Sequence, residues 1–186
     1  MPKIADIEDT PNPNAKKFIL REPLTWGITR SYENAGQAMD DLLAAAIFDI
    51  EHVTNVFYVD RWLTVTQDGR ADWKELLHRV ADRIRAAPAA NEQSARLTAA
   101  AAIPISDMSP DDQQRLYMIN GLLDEQIRPY LQGDGGDLHV LALEGNKLTV
   151  HYQGACGSCP SSISGTLVSI ENLVKTIEPD IEVVAV

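Results

Sequence analysis

"LHVLALEGNKLTVHYQGACGSCPSSI", residues 138–163, holds a reverse-turn signal, two β-rich arms and both cysteines of the chain. Gly145-Asn146 is a two-residue turn of the type that closes a β-hairpin. From that turn Glu144 faces Lys147, Leu143 faces Leu148 and Leu141 faces Val150, so apolar meets apolar. The same spacing sets His139 opposite Tyr152 on that side and leaves Val140 and His151 on the other.

Outward from the hairpin, Ile163, Leu167, Ile170, Val174 and Ile177 recur at steps of three and four, the pattern of one buried helix face. "IEVVAV" at residues 181–186 reads as a closing strand. Upstream, Leu116, Ile119, Leu122, Leu123, Ile127 and Leu131 form a helical stripe that stops at Gly133. Residues 109–186 therefore predict a unit of order α-β-β-α-β.

Residues 86–110 are rich in Ala, Pro and small polar residues, and Pro88, Pro104 and Pro110 interrupt any long helix. A flexible linker is expected at 89–108, with a separate domain at 1–88. In that domain Met39, Leu42, Leu43, Ala46, Ile47 and Ile50 keep helical spacing, as do Trp73, Leu76, Leu77, Val80 and Ile84 behind Asp72 as N-cap. Between them "NVFYVDRWLTVTQD" predicts a hairpin about Asp60-Arg61, and residues 17–24 an earlier strand. The expected fold class is α+β, two small α+β domains joined by the linker.

The chain has 186 residues and a net charge of −11, divided as −3 for residues 1–88, −1 for 89–108 and −7 for 109–186. The cysteine-bearing end is the acidic one, which argues against nucleic acid, because phosphate must be met by Lys and Arg. No apolar run approaches the roughly 20 residues of a membrane span. The opening residues have no apolar core, and Asp6, Glu8 and Asp9 are charges a mitochondrial transit peptide avoids, so a cytoplasmic chain is expected.

Cys156 and Cys159 lie between the second arm of the hairpin and the last helix. Pro160 suits the first helical position, and the free N–H groups of the helix start favour a thiolate over a thiol. Gly154 and Gly157 leave little bulk nearby, so the pair is expected to be accessible. Three roles compete: small core residues or an incidental disulfide, a thiol–disulfide oxidoreductase, and a metal or cluster site completed by a second copy. The first fits poorly with a Gly, Ser and Pro frame. The second has a matching helix N-terminus, but an antiparallel hairpin precedes the motif where a parallel βαβ pattern would be expected. In the third, two cysteines from each of two copies make the Cys₄ set of a [4Fe–4S] cluster or a bridging zinc.

"LQGDGGDLHV", "GACGSCPSSISGTL" and "IENLVK" together resemble the C-terminal domain of the NifU-like (Nfu) iron–sulfur scaffold proteins, and "DTPNPNAKKF", residues 9–18, resembles the Nfu N-terminal domain. The resemblance implies a carrier, not an enzyme, that binds a [4Fe–4S] cluster between two subunits, as a homodimer when loaded. It further implies Cys156 and Cys159 as ligands, apo iron–sulfur proteins as clients, and upstream cluster-assembly proteins as partners.

Asp134 and Asp137 flank Gly135-Gly136 and read as a helix-to-strand connection, not as metal ligands. His139 and His151 have no spaced ligand partner and read as ordinary strand residues. Trp62 and Trp73 read as core, and Trp26 as a candidate contact residue. G-x-S-x-G, Walker-type and H-E-x-x-H motifs are absent from the sequence.

Overall fold

β-Branched and aromatic residues around Asp60-Arg61 form the central hairpin of the first half, and the Gly145-Asn146 turn forms that of the second. The computed structural model of the chain describes residues 2–87, 109–157 and 165–186, with 160–164 as helical backbone. The expected linker at 89–108 lies outside the described residues. The chain divides into two units, Met1–Ala99 and Ala100–Val186.

The first unit runs β1 (Ile4–Asp9), β2 (Ala15–Leu20), β3 (Arg30–Tyr32), α1 (Leu42–Phe48), β4 (Val53–Val59), β5 (Trp62–Gln67) and α2 (Trp73–Ala86). Its sheet has the order β1-β2-β5-β4-β3 and is antiparallel throughout. Phe18, Val56, Leu63 and Val65 on the sheet pack against Leu43 and Ile47 of α1 and Leu76, Val80 and Ile84 of α2. Asp41 sets where α1 begins: its Oδ1 accepts from the backbone N–H of Leu43 at 3.1 Å and of Ala44 at 3.0 Å. Its Oδ2 accepts from the Tyr32 hydroxyl at 2.7 Å and from the Tyr58 hydroxyl. Burial and then the Asp41 carboxylate hold both phenols in the neutral form, Tyr32 pushed up to about 12 and Tyr58 further. Met39 and Leu42, expected on the buried stripe, are instead 76% and 78% exposed, because the cap places them at and before the first helical residue.

The second unit runs α3 (Pro110–Gln126), α4 (Arg128–Gly133), β6 (Gly136–Glu144), β7 (Lys147–Gly154), α5 (Pro160–Val174) and β8 (Glu182–Ala185). The single helix expected up to Gly133 is thus two. Pro129 has no N–H to continue the ladder and its ring crowds the preceding turn, so the helix breaks at Ile127. The sheet order is β6-β7-β8, with β6 antiparallel and β8 parallel to β7. Leu116, Ile119 and Leu123 of α3 and Ile170 and Val174 of α5 cover its inner face. Arg115 ties the helices to the loops: Nε donates to Glu178 Oε1 and Nη2 to the Gly145 carbonyl, each at 2.9 Å.

The hairpin keeps the expected register from Glu144↔Lys147 to Ala142↔Thr149 and then departs from it. A bulge between Val140 and Ala142 sets Val140 opposite Val150, His139 opposite His151 and Leu138 opposite Tyr152. One extra residue on β6 reverses which side chains point inward. Val140 is buried, while Leu141 stands out at 43% exposure.

Candidate functional site

Strand β7 ends at Gly154 and α5 starts at Pro160, so both cysteines fall between the end of a strand and the first turn of a helix. Cys159 lies outside the described residues. Cys156 is 2% exposed, packed in the same core cluster as Leu138 and Tyr152. The expectation of an accessible pair is therefore corrected for Cys156.

The physical reason lies on the neighbouring strand. Gly136 pairs with Gly154, and a Cβ built on Gly136 would stand 2.7 Å from Cys156 Sγ and 2.6 Å from the Gln153 carbonyl oxygen. The sulfur occupies the space a side chain would take at 136. The Ala155 N–H donates to the Gly135 carbonyl at 3.2 Å, and the Gly157 N–H to the Gly154 carbonyl at 3.2 Å, fastening the loop in this position.

Beside the sulfur stands Tyr152, 4% exposed, whose hydroxyl is buried and has no hydrogen-bond partner among the described residues. A hydroxyl left so costs about 1–3 kcal/mol. Burial first, and the charge of Cys156 second, push it up to about 12. Sequence reasoning placed Tyr152 only as a strand residue and Gly136 only in a connection. The signal for Gly136 was present, since glycine inside a strand often marks a close backbone approach.

Asp137 is buried, 3.3 Å from Arg128 Nη1 and 3.3 Å from Gln132 Nε2, and accepts from the Leu138 N–H at 2.8 Å. Burial raises its carboxyl and Arg128 draws it back. The Asp134 N–H donates to the Tyr130 carbonyl at 3.0 Å, closing α4. These two residues brace the entry to β6. His151 Nδ1 lies 2.8 Å from the Val186 carbonyl oxygen. Among the described residues no group of three or more His, Cys, Asp or Glu converges to hold a metal ion, nor is any helix long and apolar enough to cross a membrane.

Trp73 is half-buried against the first core and donates from Nε1 to the Pro13 carbonyl at 3.1 Å. Trp62 packs on Phe57 with ring centroids 5.1 Å apart, and Trp26 is 51% exposed. Strands β7 and β8 are parallel and joined through α5, so the cysteine loop does sit in a βαβ crossover, the context held to be missing for a thiol–disulfide enzyme.

Two α+β units, one carrying a cysteine pair at a strand-to-helix junction, define the class of protein. Residues 4–91 match the family described as "Scaffold protein Nfu/NifU N terminal", and residues 119–185 match "NifU-like domain". Over 94% of its length the chain is 33% identical to "NFU1 iron-sulfur cluster scaffold homolog, mitochondrial" of Homo sapiens, of which it covers 68%. It is 30% identical to the protein of that name in Drosophila sechellia and 32% to that of Drosophila persimilis, covering 62% of each. The chain belongs to the Nfu family of iron–sulfur cluster scaffold proteins.

These relatives are mitochondrial by name, which overturns the cytoplasmic expectation. Asp6, Glu8 and Asp9 belong to β1 of a folded sheet, so their charge reflects an exposed edge strand and carries no information about targeting.

Proposed function

We propose that this chain carries a [4Fe–4S] cluster as cargo, held between two copies by Cys156 and Cys159 of each, and hands it to apo iron–sulfur proteins. The observation that carries this reading is the strand-to-helix setting of the cysteine pair in a member of a scaffold family. One chain has two thiols and a cluster takes four, so two chains complete the set. Transfer is ligand exchange: a client's thiolates replace those of the carrier, and no bond of a substrate is hydrolysed, which makes the role that of a carrier and not an enzyme.

Loading begins with Cys156 leaving its place over Gly136, because a sulfur 2% exposed cannot bridge to a second chain. Upstream assembly proteins supply the cluster. Residues 1–88 dock partners, with the exposed Trp26, Met39 and Leu42 as contact candidates, and 89–108 tether that domain to the cysteine-bearing unit 109–186. The test is transfer of iron and sulfide from loaded protein to an apo iron–sulfur protein. Cys156→Ala and Cys159→Ala are each expected to abolish it.

A second reading, thiol–disulfide exchange, is favoured by the parallel β7–α5–β8 crossover. Rapid cysteine-dependent reduction of insulin by a chain that binds no cluster would establish it in place of the carrier.

A further inference from the structure

The bulge in β6 also decides which residues face each other beyond it. Unbulged pairing would set His139 opposite Tyr152; the bulge makes His139 the Cα partner of His151. Leu138 and Val140, on either side of His139, are buried against the helices, as are Val150 and Tyr152 on either side of His151. Side chains alternate along a strand, so both imidazoles stand on the other face of the sheet, each partly open to solvent. Directly opposed residues bring their Cβ atoms to about 4.5–5.5 Å, within reach of one ion bound about 2 Å from a nitrogen of each ring.

The second ring is oriented in advance. His151 Nδ1 lies 2.8 Å from the Val186 carbonyl oxygen. A carbonyl only accepts, so Nδ1 of the neutral ring carries the proton and donates, and the lone pair is on Nε2. Metal-binding histidines make this same outer bond, one nitrogen donating to a carbonyl or carboxylate while the other takes the metal. Val186 follows β8 and donates its N–H to the Val150 carbonyl, on the side of β7 away from β6. The two nitrogens of an imidazole point apart, so Nε2 is turned from β8 toward the strand that bears His139.

We propose that His139 and His151 form a cross-strand binding site for a late first-row divalent metal ion, copper(II) above all. Imidazole suits copper, nickel and zinc, and of these copper(II) binds a given nitrogen set most tightly. Asp137, on the same face, is held by Arg128 and Gln132, so water completes the coordination. Two imidazole nitrogens with water oxygens make the tetragonal N,O set that copper(II) takes. The site uses no cysteine, cluster or second chain, and stands whether or not the chain carries a cluster.

The test uses the full chain with Cys156→Ala and Cys159→Ala, which leaves no thiol to compete for copper(II) or reduce it. Titrated with copper(II) against a competing chelator, this host is expected to take up a single ion per chain. Its electron paramagnetic resonance spectrum should show coupling to two nitrogens, and its second unit should unfold at a higher temperature with copper than without. Adding His139→Gln or His151→Gln is expected to weaken binding by about 10–100-fold or more, at least the loss that follows removal of an outer-shell partner. Adding His78→Gln, on the exposed side of α2, is expected to leave binding as it was. Undiminished affinity after either sheet substitution, coupling to one nitrogen alone, or loss of copper with His52→Gln or His78→Gln would overturn the site. Should His151→Gln unfold early through loss of its bond to Val186, His139→Gln, which keeps that bond, decides the matter.

Discussion

Tyr58 in the first unit and Tyr152 in the second are both buried on the inner face of a sheet, 5% and 4% exposed, and their hydroxyls meet opposite fates. Tyr58 donates to Asp41, which also accepts from Tyr32 and caps α1, so one carboxylate joins β3, β4 and the helix. Tyr152 has no acceptor among the described residues and lies beside a cysteine seated where a glycine leaves room. The first arrangement spends its polar groups on holding the fold. The second leaves a hydroxyl unpaired beside a cysteine proposed as a ligand.

Asp41→Ala should break the first arrangement with the largest effect, removing a cap and leaving two phenols without their acceptor. A loss of about 3 kcal/mol or more is expected in denaturant unfolding of the first unit. Cluster uptake by the second should be unaffected, and a loss of uptake would show that its folding depends on the first. Gly136→Ala sharpens the other side. Its Cβ would meet Cys156 Sγ at 2.7 Å and a backbone oxygen at 2.6 Å. A cost of about 1–3 kcal/mol is expected, with faster alkylation of Cys156 as the thiol is pushed outward. Unchanged alkylation and stability would show that the sulfur does not rest on Gly136. The smallest effect concerns the bulge. Val140→Thr should cost about 1–2 kcal/mol and Leu141→Thr less than about 0.5 kcal/mol, and the reverse order would restore the unbulged pairing.

That last pair marks where legibility ended. The Gly145-Asn146 turn and the three pairs next to it were readable because turn chemistry is local. The bulge was not, because alternation through Leu141 is equally apolar in either register, and packing under α3 and α5 decides between them. Strand β1 was hidden because its edge position leaves five of its six residues exposed, and β3 because three residues carry no period. Pro129 was visible and decisive for the helix break, yet the apolar stripe running through it pointed to one helix. The cysteine pair and its place before a helix were plain in the sequence. The burial of Cys156 was not, since it depends on a glycine twenty residues away that only the antiparallel pairing brings alongside. Tyr152 was equally opaque, because a lone tyrosine on a strand reads as core until its hydroxyl is found without a partner.

The central claim, that two chains each give half of a ligand set, is tested most directly by measuring iron, sulfide and molecular mass together on anaerobically reconstituted protein. About four iron and four sulfide per two chains, on a species of dimer mass that reverts toward monomer when the cluster is removed, is the predicted result. A full cluster on a strict monomer, or as much iron retained by Cys156→Ala and Cys159→Ala as by the unsubstituted chain, would contradict it.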